Sequence, residues 1–192
     1  MFVKICGLTT EEHVLAAVEA GADAVGFVFA ESVRRIDPRA AAAISQSVPG
    51  TVKKVAVMRH PSNEDWDAVL SEFAPDVLQT DVGDFDSLRI PGTIERWPVY
   101  REKNTVTGTY LYEGARSGSG ETVDWEVAAR VARRGNMILA GGLGVDNVAE
   151  AIATVRPFGV DVSSGVESAP GQKDAGLIRE FIGAAKAAGN VL

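Results

Sequence analysis

Val3-Lys4-Ile5-Cys6-Gly7-Leu8-Thr9 opens as a largely apolar run and ends on a glycine and a threonine, the pattern of a strand passing into a helix. Cys6 is the only cysteine of the chain, so it forms no internal disulfide and cannot by itself hold a metal. Strand side chains alternate, which puts Lys4 and Cys6 on one face and Val3 and Ile5 on the other. Two readings of Cys6 stand side by side. It is either a small buried hydrophobe, as free cysteines often are, or a reactive thiol delivered to the end of a strand.

The pattern recurs along the chain. β-rich runs are expected at 2–6, 24–29, 53–58, 76–80, 96–100, 109–112, 136–140 and 159–163. Between them lie apolar residues at helical spacing, such as Trp66, Val69, Leu70 and Phe73, or Leu177, Ile178, Phe181, Ile182 and Ala185. Helix starts are marked by a capping box at Thr9-x-x-Glu12, by Asp37-Pro38 and by the polar turn Ser62-Asn63-Glu64-Asp65. Gly21 and Gly189 stand where C-terminal caps are expected.

Eight strands joined by right-handed crossovers predict an α/β protein, a single (β/α)8 TIM barrel over residues 1–192. An open doubly wound sheet is the structural alternative. The chain is short for a barrel. A loop is expected to replace the fifth helix within 101–108, and the fourth helix is expected to be brief, within 84–88. If Val3 and Ile5 pack against outer helices, Lys4 and Cys6 point inward, and Cys6 reaches the strand-end face where barrel active sites form. A buried Lys4 needs a carboxylate, and Asp161, on the strand that closure sets beside the first, is the expected partner.

With 192 residues and 46% hydrophobic content, the composition fits one substantial core. A formal charge of -7 argues against a nucleic-acid surface. No apolar run approaches the roughly 20 residues of a membrane span, and the N-terminus lacks a signal-peptide pattern; a cytoplasmic protein is expected. The histidines, His13 and His60, show no metal-ligand spacing with each other or with Cys6, so no metal is expected.

Ile138-Leu139-Ala140-Gly141-Gly142-Leu143-Gly144-Val145-Asp146-Asn147 runs from a buried strand through glycines toward a helix start. Backbone amides there can approach an anion unobstructed, and Ser163-Ser164-Gly165 repeats the theme after the next strand. Loops seven and eight are the recurrent phosphate site of this fold, although tight turns alone would also use such glycines. The long loop Gly114 to Glu121 either closes over a ligand or lies on the surface. Asp124 either caps the following helix or serves catalysis. Arg34, beside Arg35, either grips an anionic ligand or pairs with Glu31 or Asp37. These residues describe a sugar-phosphate enzyme of barrel type, with a thiol and an aspartate as candidate proton carriers.

Taken together, Lys4-Ile5-Cys6-Gly7, Gly26-Phe27-Val28-Phe29 with Ser32-x-Arg34, Gly118-Ser119-Gly120 before Val123-Asp124-Trp125, Leu139-Ala140-Gly141-Gly142-Leu143 before Asn147-Val148, and Asp161-Val162-Ser163-Ser164-Gly165-Val166-Glu167 resemble the phosphoribosylanthranilate isomerase family. The resemblance implies the tryptophan-pathway Amadori rearrangement of N-(5'-phosphoribosyl)anthranilate to 1-(2-carboxyphenylamino)-1-deoxyribulose 5-phosphate. It implies Asp124 as general acid and Cys6 as general base, with no cofactor. By the same match, Arg34 holds the anthranilate carboxylate. Gly141, Gly142, Ser163, Ser164 and Gly165 hold phosphate, Gln79 lies near the substrate, and Asp161 contacts or orders the sugar. The family contains monomers and homodimers.

The chain departs from the family pattern at Thr80-Asp81-Val82-Gly83, where an apolar residue and His-Gly are frequent, and at Val33, where proline is frequent. An aminoimidazole-type sugar isomerase of histidine biosynthesis is the enzymatic rival, disfavoured by a thiol where that family has aspartate. A noncatalytic sugar-phosphate-binding barrel is the other alternative.

Overall fold

The apolar runs pair edge to edge, all parallel, in a computed structural model that describes residues 1–100, 107–113 and 123–191. The strands are β1 (Phe2–Cys6), β2 (Ala24–Val28), β3 (Lys53–Val57), β4 (Val77–Asp81), β5 (Glu95–Tyr100), β6 (Thr109–Tyr112), β7 (Asn136–Leu139) and β8 (Gly159–Val162). They follow one another in chain order and β8 returns to β1, with Val3 opposite Val160 and Lys4 opposite Asp161. The expected barrel is the fold, and the open sheet is excluded.

Around the barrel lie α1 (Glu11–Glu19), α2 (Pro38–Ile44), α3 (Asn63–Phe73), α4 (Trp125–Ala132), α5 (Val148–Val155) and α6 (Ala175–Gly189). The brief fourth helix expected within 84–88 is a 3-10 turn that starts two residues earlier, over Val82–Asp86. The expected loop in place of the fifth helix, and the loop from Gly114 to Glu121, fall mostly or wholly outside the described residues. After β8 the chain forms a small antiparallel hairpin, β9 (Glu167–Ala169) and β10 (Gln172–Lys173), before α6.

Alternation along the strands sorts two apolar layers. Val3, Ile5, Phe27, Leu78 and Val160 face outward into the shell shared with the helices. Ala24, Val55, Val77, Val99, Leu111 and Ile138 fill the barrel interior. Phe2 and Trp97 join that inner cluster, their rings 5.8 Å apart and edge to face. Lys4 and Cys6 share the inner phase, as β1 periodicity requires.

Capping chemistry sets where the helices begin. Asp37 accepts the Arg39 and Ala40 amides before Pro38, and Ser62 with Asp65 forms a capping box. The α1 start lies one residue later than expected. Thr10, rather than Thr9, is the cap, its hydroxyl accepting the His13 amide. Gly189 belongs to the last turn of α6, with Asn190 as the cap. Its lack of a side chain makes room for Met1, since a Cβ there would lie 2.3 Å from Met1 Cβ.

Candidate active site

The C-terminal ends of the strands surround a cavity of about 360 Å³. Cys6 ends β1 on its wall, and Arg34, Gln79, Gly141, Gly142, Asp161, Ser163 and Ser164 line it with Cys6. Strand phase delivers Cys6, Gln79 and Asp161 from the barrel interior, whereas the others come from βα loops. Seven of these positions were singled out with Cys6 from sequence, and they come from segments scattered over the chain.

Beneath the cavity, Lys4 is fully buried and donates to Asp161 Oδ1 at 2.8 Å. This is the expected partner. Burial disfavours the ammonium, but the charge of Asp161 and the Cys6 sulfur together push the Lys4 pKa above its ordinary value. Cys6 is 7% exposed, and burial pushes its thiol up while Lys4 pulls against it.

Arg34 pairs with neither Glu31 nor Asp37 but with Glu167, through Nε to Oε1 at 2.6 Å and Nη2 to Oε2 at 2.8 Å. Lys173, also buried, donates to Glu167 at 2.5 Å and to the carbonyl and hydroxyl oxygens of Ser163 at 2.9 and 3.2 Å. Burial works against the Glu167 carboxylate, but Arg34, Lys173 and the Gly171 amide hold its pKa down to about 2. Sequence reasoning assigned neither Glu167 nor Lys173 a role. Their neighbours in the chain carry no sign of the Arg34 contact, which joins residues 133 positions apart.

The two glycine loops are built against each other. Asn147 donates to the Gly142 carbonyl at 2.9 Å and accepts the Gly144 amide at 2.9 Å, which fixes the turn after β7. Gly165 does not line the strand-end cavity that holds Cys6. It forms a bridge with Gly144, and a Cβ on it would sit 1.9 Å from the Leu143 carbonyl oxygen. It borders a shallower hollow between the same loops together with Ser164 and Glu180.

Gln79 is 4% exposed, and its Oε1 has no hydrogen-bond partner among the described residues. A buried acceptor left unpaired costs about 1–3 kcal/mol, so this oxygen is suited to a donor brought by a ligand. Asp124 is exposed and caps α4, accepting the Val127 amide at 3.0 Å. It is not on the cavity wall. Its charge nevertheless reaches Tyr112, the last residue of β6, whose hydroxyl pKa is raised by burial first and by Asp124 second.

The segment that departs from the family pattern has local partners. Thr80 donates to Asp84 at 2.5 Å, and the His60 ring contacts Asp84 at 3.0 Å and Asp81 at 3.4 Å. Although burial opposes ionisation, hydrogen bonds from Thr80 and His60 hold the Asp84 carboxyl below its ordinary value. His60, Asp81 and Asp84 place metal-type ligand atoms within 4.8 Å of one another, a grouping that histidine spacing in the sequence did not reveal. Arg59 and Asp81 also reach the cavity wall.

A closed (β/α)8 barrel whose strand-end cavity gathers a buried thiol, an arginine and two loops bearing glycines and serines has the architecture of a barrel enzyme. The family model for N-(5'-phosphoribosyl)anthranilate (PRA) isomerase matches residues 3–184. A protein of that name from Geotalea uraniireducens is 42% identical over 200 residues, covering 96% of this chain and 98% of the relative. A further one, from Listeria innocua, is 37% identical and covers 98% and 100%. The phosphoribosyl anthranilate isomerase structure from Thermus thermophilus superimposes with a TM-score of 0.82 at 31% identity, over 97% of this chain and 99% of that one. Another, in complex with reduced 1-(o-carboxyphenylamino)-1-deoxyribulose 5-phosphate, gives 0.80 at 34% identity, with coverage of 97% and 99%. The chain belongs to the PRA isomerase family.

Proposed function

We propose that the chain isomerises N-(5'-phosphoribosyl)anthranilate to 1-(2-carboxyphenylamino)-1-deoxyribulose 5-phosphate through Asp124 as general acid and Cys6 as general base. Asp124 gives a proton to the ribose ring oxygen, and the C1'–O bond breaks to leave a protonated imine. Cys6 takes the proton from C2', and the electron pair of that C–H bond flows toward the imine to give an enolamine. Tautomerisation then yields the ketone. The imine is the electron sink, so no cofactor takes part. Among the described residues, no helix is long and apolar enough to cross a membrane. We read the chain as one catalytic domain acting in the cytoplasm, as a monomer or homodimer.

Arg34 holds the anthranilate carboxylate through the part of its guanidinium not committed to Glu167. Backbone amides of Gly141 and Gly142, with Ser163 and Ser164, hold the phosphate, and Gly165 keeps their loops in contact. Gln79 accepts a hydrogen bond from the substrate, and Asp161 orders the sugar from beside Lys4. One observation supports this reading most: the thiol, the arginine and both glycine–serine loops share a single cavity. Asp124 as acid rests on its match to the family motif and on its place after β6.

The test is loss of substrate fluorescence by wild type, Cys6→Ser and Asp124→Asn. Each variant is expected to lose at least about a hundredfold in kcat, the usual range for removing a general acid or base. Turnover that survives both substitutions would reject the assignment.

A further inference from the structure

β1 buries a lysine that the proposed chemistry leaves without a task. Lys4 is fully buried, and two residues on, Cys6 shares its inward face. Both side chains converge over Gly26 on the neighbouring strand, where Cys6 and Gly26 are register partners. A Cβ at Gly26 would lie 3.1 Å from Lys4 Cε, 3.2 Å from Lys4 Nζ and 3.2 Å from Cys6 Sγ. The ammonium and the sulfur therefore border one small volume, open only because residue 26 has no side chain.

We propose that Lys4 is a positioning residue for Cys6: its ammonium, held by Asp161, stabilises the thiolate that the base must become. A thiol in a closed barrel is poorly solvated, and burial alone opposes its ionisation. A fixed cation at the sulfur offsets that burden at the point where proton transfer occurs. Asp161 has the complementary task. Without a carboxylate at 2.8 Å, a fully buried lysine would shed its proton and lose its effect.

Other charges face the sulfur from the elements around it. Asp161 on β8 opposes the thiolate, while Lys173 on β10 favours it less strongly than Lys4, and Arg34 beyond β2 feels its charge. Glu31, Arg59, Asp81 and Glu113 stand on the cavity wall. Lys4 is distinguished among them because it is the favourable charge with the largest effect on Cys6 and the one whose ammonium borders Gly26 together with the sulfur.

The use of the thiolate as a base rests on the function proposed above, but the ionisation itself can be read without turnover. Cys6 is the only cysteine, so thiolate absorbance near 240 nm and the rate of iodoacetamide alkylation against pH report this residue alone. Lys4→Met is expected to move the Cys6 midpoint up by about one unit or more, slowing alkylation at neutral pH about tenfold. The kcat/KM of the variant falls by a similar factor and recovers as pH rises, which a purely structural lesion would not do. Gly26→Ala preserves every charge but sets a methyl 3.1–3.2 Å from Lys4 Cε, Lys4 Nζ and Cys6 Sγ, filling the space they share, and it decides the matter if Lys4→Met does not fold. Its midpoint is also expected to rise. An unmoved midpoint in the folded variants overturns the proposal. If instead the midpoint moves while Cys6→Ser retains activity, the role of Cys6 as base fails and the Lys4 effect on the thiol stands.

Discussion

Arg34 and Glu167 are joined by a two-bond fork, at 2.6 and 2.8 Å, between residues 133 positions apart. The fork fixes the guanidinium plane at the cavity and ties the loop after β2 to the hairpin after β8. Glu167 also holds Lys173, which in turn holds Ser163. A single carboxylate thus orients both the arginine proposed for the substrate carboxylate and one of the serines proposed for phosphate.

Glu167→Gln is expected to cost about 3 kcal/mol of stability, because it leaves the buried Lys173 without its counter-charge. It also releases Arg34, so KM for the substrate rises more than kcat falls. Urea unfolding and steady-state kinetics measure the two effects. Wild-type values for both would remove Glu167 from the account.

The same carboxylate gives a pH signature. Its folded pKa is depressed from 4.5 to about 2, so its contribution to stability is complete above pH 4.5. That contribution disappears as pH falls toward 2, and amounts to at most about 3 kcal/mol. The stability gap between wild type and Glu167→Gln should therefore narrow across this acid range. A gap that stays constant between pH 5 and about 2 would show that Glu167 titrates as an ordinary glutamate.

Gly165→Ala tests the loop pair. A methyl group 1.9 Å from the Leu143 carbonyl oxygen forces the loops after β7 and β8 apart. Binding of inorganic phosphate, followed by calorimetry, is expected to weaken by at least about tenfold, since the amides lose their fixed geometry. Gly83→Ala meets nothing within 4 Å and serves as the control. Equal phosphate affinity in the two variants would separate the loop contact from anion binding.

Chelation addresses the grouping of His60, Asp81 and Asp84. The His60 ring contacts both carboxylates directly, and the proposed chemistry routes no step through a metal. Activity is expected to persist after EDTA treatment and gel filtration. Loss of activity restored by a divalent cation would assign this cluster a function.

Local chemistry made much of the fold legible. The βα alternation, the Asp37-Pro38 cap and the Ser62 cap depend on neighbours within a few residues, and the folded chain keeps them. The cap expected at Thr9 falls instead on its neighbour Thr10, whose hydroxyl accepts the His13 amide, a shift of one residue that periodicity does not resolve. Gly189 has the local look of a cap, but its reason lies at the opposite terminus, in Met1.

By itself, the sequence determined the barrel, the inward phase of Lys4 and Cys6, and the glycine loops after the seventh and eighth strands, because strand alternation and turn chemistry act over short distances. The Lys4–Asp161 contact was also within reach, since barrel closure dictates which strands become neighbours. Tertiary structure alone decided that Arg34 binds Glu167, that Lys173 braces Ser163, and that Gly26 opens the space shared by Lys4 and the sulfur. Those relations depend on register and loop packing between distant segments, and one residue of slip would turn each strand side chain to the opposite face.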